Sequence, residues 1–206
     1  MSDTFQNDWT TRFHRAAMLA LEKIRPLLGK KEDRSTLKQG AGGDLTATLD
    51  KVAEQTIIDH LKTYQEPFII ISEEIGRIEY HPSVPSSIQI NSDSKSEDIA
   101  PVPYIIIDPV DGSSNALLGI PFACISIALT HSPSCTQIDV GYVLNIFTQD
   151  YYWAERDRGA FKNQKKIVCN SPSTLKHRYI ALDFDQRHIS QTFLTPFRRF
   201  CQEAAL

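Results

Sequence analysis

A chain of 206 residues suffices for one large domain or two small ones, and a hydrophobic content of 41% supplies a real core. With 22 Lys and Arg against 25 Asp and Glu, the net charge is −3 and the pI about 6.1, so no basic field exists to hold a nucleic acid polymer. No apolar run approaches the roughly 20 residues that span a bilayer, and the polar start Met1-Ser-Asp-Thr-Phe-Gln-Asn-Asp8 reads as neither signal nor transit peptide. Cys124, Cys135, Cys169 and Cys201 form no C-x-x-C pair and read as free thiols. Together these features predict a cytoplasmic protein with no membrane partner.

From Trp9 to Leu28, the residues Phe13, Ala16, Ala17, Ala20, Ile24, Leu27 and Leu28 recur at helical spacing, and Gly29 closes the helix. A polar, partly basic stretch to Gly43 follows. A second helix is expected from about Thr48 to Tyr64, with Leu49, Val52, Ala53, Ile57 and Leu61 on one face and Thr46 or Thr48 as its cap. Five β-rich runs come next: Phe68–Ile71, Tyr104–Ile107, Phe122–Leu129, Val140–Ile146 and Tyr151–Glu155. The alternation of Ala123, Ile125 and Ile127 with Cys124, Ser126 and Ala128 suits a sheet covered on both sides. Lys162 to Lys166 reads as a solvated hairpin or turn. Ile180–Phe184 reads as a further strand and Phe193–Leu206 as a helix.

Between the first two strands, Arg77 to Pro103 holds four prolines, six serines and four acidic residues, and reads as a loop. Helices first, then strands, then a helix again predict α+β layers rather than a βαβ repeat.

Acidic residues fall in three patches at the start of the second helix or just past a predicted strand. They are Asp44-Leu-Thr-Ala-Thr-Leu-Asp50, Ile71-Ser-Glu73-Glu74 and Ile105-Ile-Ile-Asp108-Pro-Val-Asp111-Gly-Ser-Ser-Asn115. Strand ends of this kind are where sheet proteins build sites. Adjacent like charges repel unless something positive lies near them. Oxygen donors without His or Cys favour hard cations such as Mg²⁺. In the third patch Gly112 allows a bend close to a ligand, and Ser113, Ser114 and Asn115 are helix-starting residues whose free N–H groups suit phosphate. His14, His60, His81, His131, His177 and His188 are isolated and read as surface or capping residues, and Trp9 and Trp153 as packing residues.

Asp108-Pro-Val-Asp111-Gly-Ser-Ser-Asn115 followed by Gly119-Ile-Pro-Phe-Ala resembles the D-P-[IL]-D-G-[TS]-x-N…G-x-P motif of the inositol monophosphatase family. Glu73-Glu74 resembles that family's Glu pair, and Asp44–Asp50 its upstream Asp/Thr-rich element. The similarity continues through Val140-Gly-Tyr-Val and Glu155-Arg-Asp-Arg-Gly159-Ala-Phe, covering about Asp44 to Lys166.

The resemblance implies a layered α/β/α/β sandwich of the inositol monophosphatase/fructose-bisphosphatase type. It implies Mg²⁺ held by Glu73, Asp108, Asp111 and the Val110 carbonyl, and substrate phosphate held by the backbone at Gly112 and Ser113. It further implies that Glu73 and the Ser113 hydroxyl position and activate a water, with Asp50 supporting Ser113. The expected activity is Mg²⁺-dependent hydrolysis of a small phosphorylated substrate. An inositol phosphate, a 3′-phosphorylated nucleotide and fructose 1,6-bisphosphate all remain open. A homodimer also stays open.

The family has a later Trp-Asp motif whose Asp completes the metal site, and this sequence stops before it. Leu206 ends an apolar helix without a stop signal. On this reading residues 1–170 are the N-terminal half of the domain and 171–206 the start of a truncated second half. A non-catalytic relic or a metal- and phosphate-binding subunit is the competing expectation.

Overall fold

The computed structural model describes residues 8–30, 41–82, 102–132 and 134–170, with only the backbone for Asp8, residues 41–46 and Cys135. The chain divides into two compact units, Met1–Ile167 and Val168–Leu206, and the elements below belong to the first. The expected strand at 180–184 and helix at 193–206 lie outside the described residues.

The first helix, α1, spans Asp8–Ile24 and buries Phe13, Ala16, Ala17, Ala20, Leu21 and Ile24. This is the periodic face read from the sequence, with Leu21 added. The helix ends earlier than its apolar pattern suggests. Pro26 has no N–H to donate, and the chain tightens into a 3₁₀ turn over Arg25–Leu27. The second helix, α2, spans Ala41–Lys62 and buries Leu49, Ala53, Ile57, Ile58 and Leu61. Its start corrects the expected cap: Thr46 and Thr48 lie inside the helix. Glycine and threonine are poor helix formers, so local propensity places the boundary too late, whereas packing overrides it.

Eight strands form one sheet in the order β2-β1-β3-β4-β5-β6-β7-β8. They are β1 (Phe68–Ser72), β2 (Gly76–Tyr80), β3 (Tyr104–Asp111), β4 (Cys124–Thr130), β5 (Ile138–Asn145), β6 (Tyr151–Glu155), β7 (Gly159–Lys162) and β8 (Lys165–Ile167). Only β1 and β3 pair in parallel; every other neighbouring pair is antiparallel. A short helix, α3 (Ser113–Leu118), lies between β3 and β4. Helices α1 and α2 pack on each other, α1 on β5 and α2 on β3. The α+β reading therefore holds. The face bearing Ile105, Ile107, Ile125, Ile127, Leu129, Tyr142 and Leu144 is buried, while Cys124, Ser126 and Ala128 on the other face are half-buried.

Strand β2 corrects the loop expected from Arg77: residues 76–80 pair in full register with β1. This edge strand exposes four of its five residues, so its alternation of Arg77 and Glu79 with Ile78 and Tyr80 carries little apolar signal. The rest of that loop, residues 83–101, lies outside the described residues. Lys162–Lys166 does form a hairpin, turning between β7 and β8 at Asn163 with φ of 54°. Among the described residues no helix is long and apolar enough to cross a membrane.

His14 departs from the surface role expected of it. Its ring packs 4.5 Å from that of Tyr151 and its Nδ1 lies 2.7 Å from the Tyr142 hydroxyl. Burial holds its pKa below the usual 6.5. The folded chain thus binds this proton less readily than the unfolded chain, so the contribution of His14 to stability falls as pH drops through about 6.5. A His14→Phe variant should therefore gain stability relative to the parent between pH 7.5 and 5. Denaturant melts of both proteins at several pH values would measure the gap, and a pH-independent gap would refute the coupling.

Candidate functional site

Parallel pairing sets the site. Ser72 at the end of β1 lies opposite Ile107 of β3, so Glu73, the first residue of the turn after β1, and Asp108 of β3 come next at about the same level. Such strands run about 4.8 Å apart, which makes the two acids neighbours although 35 positions separate them in sequence.

Asp108 and Asp111 lie within β3 rather than past its end as expected. Asp108 pairs with Ser126 and Asp111 with Cys124, so three steps on β3 match two on β4. One extra residue is accommodated as a bulge at Pro109-Val110, where proline has no N–H to give the ladder. The strand thus continues through a sequence that locally resembles a turn. Asp50 likewise sits in the interior of α2, not at its start, and reaches the strand ends because α2 packs on β3.

Past Asp111 the chain must reverse sharply. Gly112 does so with φ of +84°, and a Cβ there would lie 2.8 Å from the Phe122 carbonyl oxygen. Helix α3 begins at once, and the first N–H groups of a helix have no partner within it. The Asn115 amide donates to the same Phe122 carbonyl at 2.9 Å. Phe122 itself is 80% exposed and precedes β4, because residues 121–123 bend to meet Gly112 instead of pairing.

These elements enclose a cleft of about 470 Å³. Every site residue expected from the sequence lines it: Asp50, Glu73, Asp108, Val110, Asp111, Gly112 and Ser113. Glu74 joins them, so five carboxylates share the cleft, and among the described residues no Lys, Arg or His lines it. Asp44 is on α2, but its side chain lies outside the described residues.

The crowding has electrostatic consequences. Burial pushes the Asp50 carboxyl up to about 7, with Glu74, Asp108 and Glu73 adding to the rise and a hydrogen bond from Ser113 opposing it. Asp108 is raised to about 6 by burial and by Asp111 and Glu73, and the Val110 N–H opposes this. Asp50 Oδ1 is buried and has no hydrogen-bond partner among the described residues. Sequence reasoning missed Cys124, whose Sγ lies 3.8 Å from Asp111 Oδ2. Burial and the neighbouring Asp111 and Asp108 push this thiol up to about 11, which favours its protonated form.

A hard divalent cation fits this donor set in charge and chemistry: all donors are oxygen, and among the described residues the like charges lack a counter-charge and one buried oxygen is unpaired. Among the described residues no three His, Cys, Asp or Glu side chains are gathered as tightly as a ligand shell.

Mixed α+β layers with an all-oxygen acidic cleft at the strand ends define a class of protein suited to metal and phosphate chemistry. The inositol monophosphatase family model matches residues 6–200, and the chain belongs to that family. It is 35% identical over 158 residues to a fructose-1,6-bisphosphatase/inositol-1-monophosphatase of Methanothermobacter thermautotrophicus, covering 74% of this chain and 51% of the relative. With inositol monophosphatase 2 of Solanum lycopersicum the identity is 31%, over 68% of this chain and 46% of the relative. A bifunctional NADP phosphatase/NAD kinase of Methanococcus maripaludis is 30% identical over 78% of this chain and 28% of its own length.

Among solved structures, the extragenic suppressor protein suhB of Bartonella henselae superposes with a TM-score of 0.65 at 26% identity, covering 95% of this chain and 66% of that one. The inositol monophosphatase of Anabaena shares the fold, with a TM-score of 0.55 at 20% identity over 82% of this chain and 52% of that one. The chain spans about half the length of the first two relatives.

Proposed function

We propose that the cleft binds Mg²⁺ and a small phosphate monoester and carries out hydrolysis of the monoester. The observation that carries this reading is the gathering of five carboxylates in one cleft that no cationic side chain lines among the described residues. Alone, these carboxylates repel a phosphate dianion, and a cation held among them would supply positive charge for the substrate. Glu73, Asp108, Asp111 and the Val110 carbonyl would hold the ion. Bound there, it would neutralise charge on the phosphoryl oxygens and acidify water.

The remaining work falls to the chain. Backbone N–H groups at Gly112 and Ser113, at the start of α3, would receive a phosphoryl oxygen. The Ser113 hydroxyl, tied to Asp50, would orient the attacking water, and Glu73, exposed in the cleft, would accept its proton. The new P–O bond forms as the ester P–O bond breaks, and the departing alkoxide takes up a proton to leave as an alcohol. The names of the relatives support a sugar, polyol or nucleotide phosphate as substrate, with a cytoplasmic setting as the sequence reading has it.

Titration calorimetry with MgCl₂ and MnCl₂ tests the ion. The full chain should bind, and Asp111→Ala should weaken binding about tenfold or more, since even outer-shell losses cost a metal site 10–100-fold. Unchanged binding by the variant would remove Asp111 from the ligand set. Phosphate-release assays with inositol, fructose and nucleotide phosphates test the chemistry, and ion binding without release would favour a binding subunit.

A further inference from the structure

Glu54 is a carboxylate that the proposed chemistry does not use, yet it is only 2% exposed. It accepts a hydrogen bond from the Ser72 hydroxyl, itself 6% exposed. Burying a carboxylate is costly, and the fold tolerates it directly behind the cleft.

The position of this pair connects two parts of the site. Glu54 stands four residues after Asp50 on α2, so the two share one helix face a single turn apart. Ser72 ends β1, immediately before Glu73, and is held in the sheet between Ile107 and Gly76. The hydrogen bond therefore joins the helix that carries Asp50 to the strand end that carries Glu73 and Glu74. These two groups belong to separate elements, and the separation of the carboxylates depends on how α2 seats against the sheet.

We infer that Glu54 and Ser72 are positioning residues, a buried clamp that sets Asp50 against the Glu73–Glu74 turn. The inference rests on the reading of the cleft as a phosphomonoesterase site. Neither residue touches substrate. Each acts through the catalytic carboxylate beside it.

The test uses the full chain with Ser72→Ala, Ser72→Thr and Glu54→Gln. Ser72→Ala should lower kcat about tenfold to a hundredfold with KM little changed, because small misplacements of catalytic groups carry costs of that order. Ser72→Thr, which keeps the hydroxyl, should restore most of the rate. Glu54→Gln keeps an acceptor of the same size and should fall between them.

Hydrogen exchange supplies a readout free of activity: amides 73–76 should exchange faster in Ser72→Ala while β4 to β6 remain protected. Faster exchange at 73–76 in a chain that hydrolyses no monoester would uphold the clamp and defeat the phosphatase reading. An active chain whose Ser72→Ala variant keeps its kcat, losing only thermal stability, would overturn the clamp and leave the phosphatase reading standing.

Discussion

Replacing Glu73 by Gln is expected to lower phosphomonoester turnover by roughly 10²-fold or more, the usual cost of losing a proton-transfer or charge-stabilising group. The substitution preserves the size of the side chain and its place beside Asp108, so the fold should survive. What disappears is a charge that helps hold the cation and the carboxylate that accepts a proton from water. Ser113→Ala should act differently. It removes the hydroxyl bonded to Asp50 and should slow the reaction while sparing ion affinity, since the hydroxyl orients water rather than the ion. Assays of both variants at saturating Mg²⁺, against several sugar and nucleotide phosphates, separate these effects. If Glu73 is only a surface acid beside a strand, Glu73→Gln will turn over like the parent, and the mechanism proposed here fails even with the fold intact.

Gly112→Ala should damage both stability and activity. The residue holds φ of +84°, where a side chain costs on the order of 1–3 kcal/mol. The added methyl would also meet the Phe122 carbonyl at 2.8 Å, closer than real contacts allow, and would force apart the bend that Asn115 closes. Because Gly112 joins Asp111 to Ser113, any relief of that clash moves cleft residues on both sides. Gly76→Ala provides the comparison: it shares a positive φ of 71°, but its Cβ would meet nothing within 4 Å. Thermal melts should place Gly112→Ala clearly below Gly76→Ala, and only the former should lose turnover. Equal melting points would show that the close approach at Phe122 is relieved without effect.

The helical periods of α1 and α2 were legible because a helix packed on a sheet must turn one stripe inward, and Phe13, Ala17, Ile24, Leu49, Ala53 and Ile57 repeat on that stripe. The candidate site was legible for a chemical reason. Carboxylates interspersed with a glycine and small hydroxyl residues offer oxygen donors for a cation beside free N–H groups for phosphate, and the Asp108–Asn115 segment carries most of that pattern in eight consecutive residues. Strand β2 was not legible, since an edge strand exposed on both faces needs no apolar alternation. Nor was the extension of β3 through Pro109, because a bulge is specified by the partner strand rather than by the residues that form it.

The sequence by itself determined most of the inward stripe of the two helices, and which segments carry the carboxylates, glycine and hydroxyl residues of the candidate site. Those properties follow from side-chain chemistry and local period, which each residue carries wherever it is placed. Only the tertiary structure decided that Glu73 and Asp108 stand side by side, that Asp50 reaches them from the interior of a helix, and that Glu54 is sealed behind them against Ser72. These relations depend on the parallel register of β1 with β3 and on the seating of α2 against the sheet. Both are set by contacts between segments far apart in the chain, and the local pattern of one segment does not say which other segment it will meet.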